Sequence, residues 1–189
     1  TIFEQLLAEN AVTLGKEGDH VKDWDEKRAK TIDTVVIHHT SGDPGITRER
    51  LNAMHLLRLY VPRYQSKNDP LLDEAGEPQP LYSGHYDASD KQVFYGYHWL
   101  VRQDGEAERL LDDTAVGWHA GDWKVNRSSV GVCIDGDLTS STPNTTVMEG
   151  IVDLLQNNYA DIDMSPESLV GHNEVNPNTV CPGTAFKDG

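Results

Sequence analysis

The sequence predicts an α/β fold, a mixed central β-sheet flanked by helices, and three observations carry that prediction. VVIHHT at 35–40 is a run of branched apolar residues, which pack well on a pleated surface, so a first buried strand covers 32–38. SSVGVCIDG at 128–136 has the same character and forms another. Between and after these runs lie segments of helical period, so strands and helices interleave along the chain.

Taken in order, residues 1–31 are charged, with short apolar clusters at Ile2, Phe3, Leu6 and Leu7 and an indole at Trp24. They are expected to form a helical extension packed on the core domain, 32–189. After SGDPG, Thr47 is a helix N-cap, with Ile46 and Leu51 spaced as a hydrophobic staple. Leu51, Met54, His55 and Leu59 follow helical spacing, so 48–60 is an amphipathic helix in which His55 is a partly buried residue. Residues 61–92 contain Pro62, Pro70, Pro78 and Pro80 and keep no period, which marks a long insertion. YGYHWLVRQDGEAERLL, 95–111, reads as an aromatic strand, a QDGE turn and a short return strand. Thr146 and Glu149 make a capping box for a helix over 147–160, whose apolar stripe is Val147, Ile151, Leu154 and Leu155. SPESLVGHNEV closes the pattern with a turn and a short strand ending at His172.

Composition narrows the partners. The 189 residues carry a formal charge of −15, which opposes contact with a phosphate backbone or an anionic membrane surface. No stretch approaches the roughly 18 apolar residues of a membrane helix, and TIFEQLLAEN is too short and polar for a secretory leader. Two cysteines, Cys133 and Cys181, allow one disulfide at most. A monomer is the expectation.

The chemistry gathers at strand ends. His38 closes the first strand, His172 closes the last, and Cys181 follows after eight intervening residues, a loop long enough to curl back beside the imidazole. Two histidines and a cysteine make a three-ligand set, and three protein ligands plus water mark a catalytic zinc rather than a structural one. Thiolate with imidazole also favours zinc over magnesium or calcium. Spacing alone leaves the alternative open: core histidines and an inert buried cysteine.

VVIHHT, YGYHWLVRQDG, GWHAGDWKVNRSSVGVCIDGD and GHNEVNPNTVCPGT, in this order, resemble the successive motifs of the zinc-dependent N-acetylmuramoyl-L-alanine amidases, which include phage lysozyme-like amidases and animal peptidoglycan recognition proteins. The resemblance runs over about 32–184, interrupted by the insertion. It implies a zinc at one edge of a substrate groove and hydrolysis of the amide between muramic acid's lactyl group and L-alanine in peptidoglycan. It implies His38, His172 and Cys181 as the zinc ligands, Tyr97 and Thr179 as catalytic residues, and His119 and Asn126 as groove residues that touch glycan or peptide. The implied place of action is the cell-wall space, as a phage lysin, an autolysin or an antibacterial effector.

Several roles keep two readings. Tyr97 donates a hydrogen bond to an oxyanion or packs on the sheet; Thr179 adds a second such bond or bonds its own backbone. Cys133 stands where the branch that recycles anhydro-muropeptides carries a catalytic Glu, and that branch ends its ligand set in Asp rather than Cys. No carboxylate is thereby left as an evident general base, and Glu174 and Asp135 are candidates for support behind the ligands. Cys133 either faces the metal or fills the strand as a small buried hydrophobe, the favoured reading. A non-catalytic peptidoglycan-binding module is the alternative function, and a cysteine peptidase using Cys181 and His172 is a third that lacks an orienting residue. The acidic insertion (Asp69, Asp73, Glu74, Glu77, Asp87, Asp90) suits a stem peptide carrying an amine, or is a solvated loop. In VVIHHT, alternation sets His38 and His39 on opposite faces. The resemblance chooses His38 for the metal and leaves His39 to the core.

Overall fold

The computed structural model describes residue 8, the backbone of 21–24, and residues 27–46, 85–87 and 89–186. The described elements, in chain order, are β1 (Val21–Trp24), β2 (Thr34–His39), β3 (His85–Asp87), β4 (Trp99–Val101), β5 (Ala107–Arg109), α1 (Trp123–Ser128), β6 (Ser129–Ile134), α2 (Thr145–Asn158), β7 (Leu169–Gly171) and α3 (His172–Val175), with a closing 3₁₀ turn at Thr184–Phe186. The chain falls into two compact units, 1–27 with 47–96, and 28–46 with 97–189.

The first unit holds a parallel pair, β1 with β3. Both strands depart from expectation. The arm expected to be helical runs as a strand at Val21–Trp24, and the insertion expected to lack regular structure carries one at His85–Asp87. Neither is long enough to display a two-residue period, and each is stabilised by pairing with the other, which no local pattern reveals. Apart from Ala8, which is helical, the remainder of the arm before Lys27, the expected helix 48–60 with Thr47 and His55, and most of the insertion lie outside the described residues.

The second unit is built on a five-stranded sheet in the order β5-β4-β6-β2-β7. The β4–β6, β6–β2 and β2–β7 pairs are parallel and β4–β5 is an antiparallel hairpin, the mixed sheet the sequence predicts. Strand alternation decides the faces. Val35, Ile37, Val130, Val132 and Ile134 turn to one side and form the core with Val147, Ile151, Leu154 and Leu155 of α2, the expected apolar stripe. The helix starts earlier than its capping box suggests. Asn144 is the N-cap, its side-chain oxygen accepting the Val147 N–H at 2.9 Å, and its amide also donates to Gln103. Thr146 therefore lies inside the first turn.

Arg28 explains why the second unit begins before residue 32. Its half-buried guanidinium donates to the carbonyls of Asp113 (2.7 Å), Ala115 (3.0 Å), Arg127 (3.0 Å) and Ser129 (2.9 Å), tying the segment after the arm to the loops beside β6. Burial lowers its pKa, and the Asp113 carboxylate opposes that shift. Carbonyl acceptors let the charge remain in place.

Candidate metal centre

The face of the sheet opposite α2 carries the chemistry. The β2–β6 register pairs His38 with Cys133, so Val36, His38, Gly131 and Cys133 share this face. His39 turns the other way: its Nδ1 accepts the Leu138 N–H at 3.1 Å, as expected of a core residue bonded to backbone. Burial lowers the His39 pKa, against a weaker upward pull from Asp137.

Around His38 lie the rings of His172 (centroids 4.5 Å apart), Tyr97 (4.8 Å) and His119 (5.1 Å). His172 is the first residue of α3 rather than the last of β7. The strand ends at Gly171, whose N–H donates to Glu174 Oε1 at 2.8 Å and so holds the turn into the helix. The loop after α3 returns Cys181 as its length allows, and the Asn173 N–H donates to the Cys181 carbonyl at 2.7 Å, locking the two segments together. Cys181 Sγ sits 3.7 Å from His38 Nδ1. One donor atom from each of His38, His172 and Cys181 lies within 4.8 Å of the others, and this is the metal-capable cluster found among the described residues.

This set fits zinc on its own chemistry. Zn–N bonds of about 2.0 Å and Zn–S bonds of about 2.3 Å place tetrahedral ligand atoms roughly 3.3–3.7 Å apart, so only small movements separate these atoms from coordination. Burial lowers the His172 pKa, opposed by its bond to the Ala120 carbonyl, so the imidazole is neutral near pH 7 and able to donate a lone pair. Burial pushes the Cys181 thiol up to about 11, although the His39 N–H pulls in the other direction.

The remaining sequence-based candidates divide. Tyr97 precedes β4 and is buried beside His38; burial, then the two cysteines, holds its hydroxyl well above the usual tyrosine range and therefore protonated. Thr179 Oγ1 accepts the Cys181 N–H at 3.1 Å, the backbone-bonding geometry of a turn threonine. His119 and Asn126 are only 6% and 5% exposed. His119 Nδ1 lies 3.0 Å from His38 Nε2, and Asn126 Oδ1 accepts the N–H groups of His119 (3.3 Å) and Ala120 (2.9 Å). These contacts turn both side chains toward the protein, where the resemblance led us to expect groove contacts.

Asp135 is committed elsewhere. Its carboxylate takes Arg102 Nη1 and the Gly45 N–H, each at 2.9 Å, on a buried ion pair. Burial disfavours the Arg102 charge, but bonds to Asp135 and Glu108 outweigh it and the pKa is raised. Cys133 is a free, fully buried thiol on the His38 face, pushed well up by burial first and then by Cys181 and Asp135. It therefore combines the two readings, a small buried residue that also faces the site side. Cys181 is free as well, so the one disulfide the composition allows is not formed.

Two features escaped the sequence reading. His98 is fully buried; its Nδ1 accepts the Gly131 N–H at 3.1 Å and its Nε2 faces the Ala115 carbonyl at 3.3 Å, which leaves the 3.1 Å approach of Arg28 a contact between donors. Burial holds its pKa well down, with His119 and Arg28 adding to the effect. Trp118 and Trp123, 38% and 39% exposed, pack edge to face with centroids 6.1 Å apart. The tryptophans were visible in GWHAGDW as residues, but nothing in the spacing said that they meet.

A family profile described as N-acetylmuramoyl-L-alanine amidase matches residues 28–184. The endolysin of Enterobacteria phage K11 is 31% identical over 96 residues, 46% of this chain and 58% of that protein. Human peptidoglycan recognition protein 3 is 32% identical over 95 residues, 48% of this chain and 26% of that protein. The chain thus matches less than two thirds of either relative's own length. Among solved structures, N-acetylmuramoyl-L-alanine amidase LysC from Clostridium intestinale URNW shares the fold, with a TM-score of 0.57 at 20% identity over 91% of this chain and 92% of that one.

Proposed function

Because the chain belongs to the N-acetylmuramoyl-L-alanine amidase family, we propose that it is a zinc-dependent hydrolase that cleaves the amide between N-acetylmuramic acid and L-alanine in peptidoglycan. The observation that carries this reading is the convergence of His38, His172 and Cys181, with donor atoms within 4.8 Å of one another. Zinc held there would supply a Lewis acid for the amide carbonyl and lower the pKa of water, the two aids that a poor electrophile needs.

The protein's own groups complete the chemistry. Tyr97 keeps its proton through neutral pH and beyond, which suits a donor to the oxyanion that forms as the amide is attacked. The Thr179 hydroxyl supports Cys181 through its N–H and so helps aim the thiol. Trp118 and Trp123 offer exposed aromatic surface within a few residues of His119, of the kind on which the apolar face of a sugar ring packs. The substrate is thus the glycan strand with its stem peptide, and the place of action is the cell wall. Non-catalytic binding alone would not require a thiol among the ligands, which favours the enzyme over the binding module.

Digesting purified peptidoglycan and identifying the new ends by mass spectrometry tests the bond assignment. Intact stem peptides with free N-terminal L-alanine, alongside peptide-free muramoyl strands, are expected. Cuts within the stem peptide, or between sugars, would contradict the proposal.

A further inference from the structure

We propose that His119 and Ser129 are positioning residues that determine which ring nitrogen of His38 is offered to the metal, and that Ala120 and Asn126 do the same for His172; the inference rests on the zinc assignment above. The direction of every proton follows from one group that can only accept. Val125 O takes the Ser129 hydroxyl proton at 2.7 Å. The Ser129 oxygen is then an acceptor toward His119 Nε2 at 3.3 Å, so that nitrogen carries the ring's proton. His119 is only 6% exposed and its two ring nitrogens face a hydroxyl and an imidazole, so the ring is held neutral with a single proton. Its Nδ1 is therefore bare and accepts from His38 Nε2 at 3.0 Å. His38 must hold its proton on Nε2, which leaves the Nδ1 lone pair directed to the side where Cys181 Sγ lies 3.7 Å away.

His172 reaches the same state through one bond. Its Nε2 donates to the Ala120 carbonyl at 3.1 Å, leaving Nδ1 as the donor atom. The two devices share one short segment, because Asn126 Oδ1 accepts the N–H groups of both His119 and Ala120. Arg28 anchors the far end by donating to the Ser129 carbonyl at 2.9 Å. Gly131 provides the seat: a Cβ there would lie 2.7 Å from His119 Cγ, closer than side chains approach. The bare glycine in β6 lets the His119 ring come close against the strand and reach His38.

Zinc affinity of the full chain, measured by competition with a chromophoric chelator at neutral pH, tests the proposal without reference to activity. His119→Leu fills the space but cannot accept, and is expected to weaken zinc binding about 10- to 100-fold, the usual cost of losing a group behind a ligand. His119→Gln keeps an acceptor toward His38 and a donor toward Ser129, and should stay within about threefold of the parent. Ser129→Ala removes the polarising hydroxyl while leaving the ring seated, and should weaken zinc about tenfold, which decides the matter if the leucine variant does not fold. Unchanged affinity in the leucine or alanine variant, or a glutamine variant as weak as leucine, would overturn the inference. A parent chain that takes up no zinc overturns it together with the metal assignment. A chain that binds zinc but leaves peptidoglycan uncut sinks the proposed function alone.

Discussion

Cys181→Ser is expected to release the zinc and lower peptidoglycan hydrolysis on the order of a thousandfold, because a metal contributes several kcal/mol to such a transition state and each factor of ten is about 1.4 kcal/mol. A serine hydroxyl is nearly isosteric but does not give up its proton as a thiol does when a soft metal approaches. The proton balance supplies a second readout. Burial holds the free Cys181 thiol at about 11, so at lower pH it enters the site protonated and must lose a proton on binding zinc. Zinc affinity of the parent should therefore rise with pH, by up to about tenfold per unit while the free thiol remains protonated. The serine variant should lose this part of the slope. His172→Ala should match the loss of metal and of rate. Metal content by atomic emission, taken with the rate on the same samples, checks both variants; a serine variant that retains one zinc and full activity would remove Cys181 from the ligand set.

Tyr97→Phe should keep the metal and lower kcat roughly 100- to 1,000-fold with little change in KM, as loss of one oxyanion donor does in a dry site. The residue is buried beside His38 and packs with its ring centroid 4.8 Å away, so phenylalanine preserves the packing and removes only the hydroxyl. The sign of its pKa shift gives a companion result. Burial raises the Tyr97 pKa well above 10, so the donor form persists as pH rises through the ordinary tyrosine range. The rate should show no alkaline limb at the ordinary tyrosine value that is present in the parent and absent in Tyr97→Phe. A phenylalanine variant with unchanged kcat would confine Tyr97 to packing.

Much of this was legible because the relevant signals are local. Branched apolar runs marked β2 and β6, the QDGE turn marked the β4–β5 hairpin, and the spacing of Val147, Ile151, Leu154 and Leu155 marked the buried face of α2. Alternation along β2 set His38 and His39 on opposite faces, and the motifs chose His38 and supplied His172 and Cys181 as its companions. What was not legible depends on distant partners. Arg28 looks like one more charge in EKRAK until its guanidinium meets the carbonyls of residues about 85 to 101 positions away. The β1–β3 pair has no local periodicity, and the Asn144 cap depends on a side chain with a choice of partners. His119 was matched to a groove position, yet its ring turns inward, because a glycine on the neighbouring strand leaves room for it. That inward turn is a matter of register between β6 and the GWHAGDW loop, which a linear pattern does not record.

Returning zinc in steps to chelator-stripped protein while following the release of L-alanine N-termini from peptidoglycan tests the central claim most directly. Activity should be absent without metal, rise in proportion to zinc and saturate at one ion per chain, the capacity of the His38, His172 and Cys181 set. Undiminished release from the stripped protein, or a rise that continues well beyond one equivalent, would contradict a single zinc centre as the seat of this chemistry.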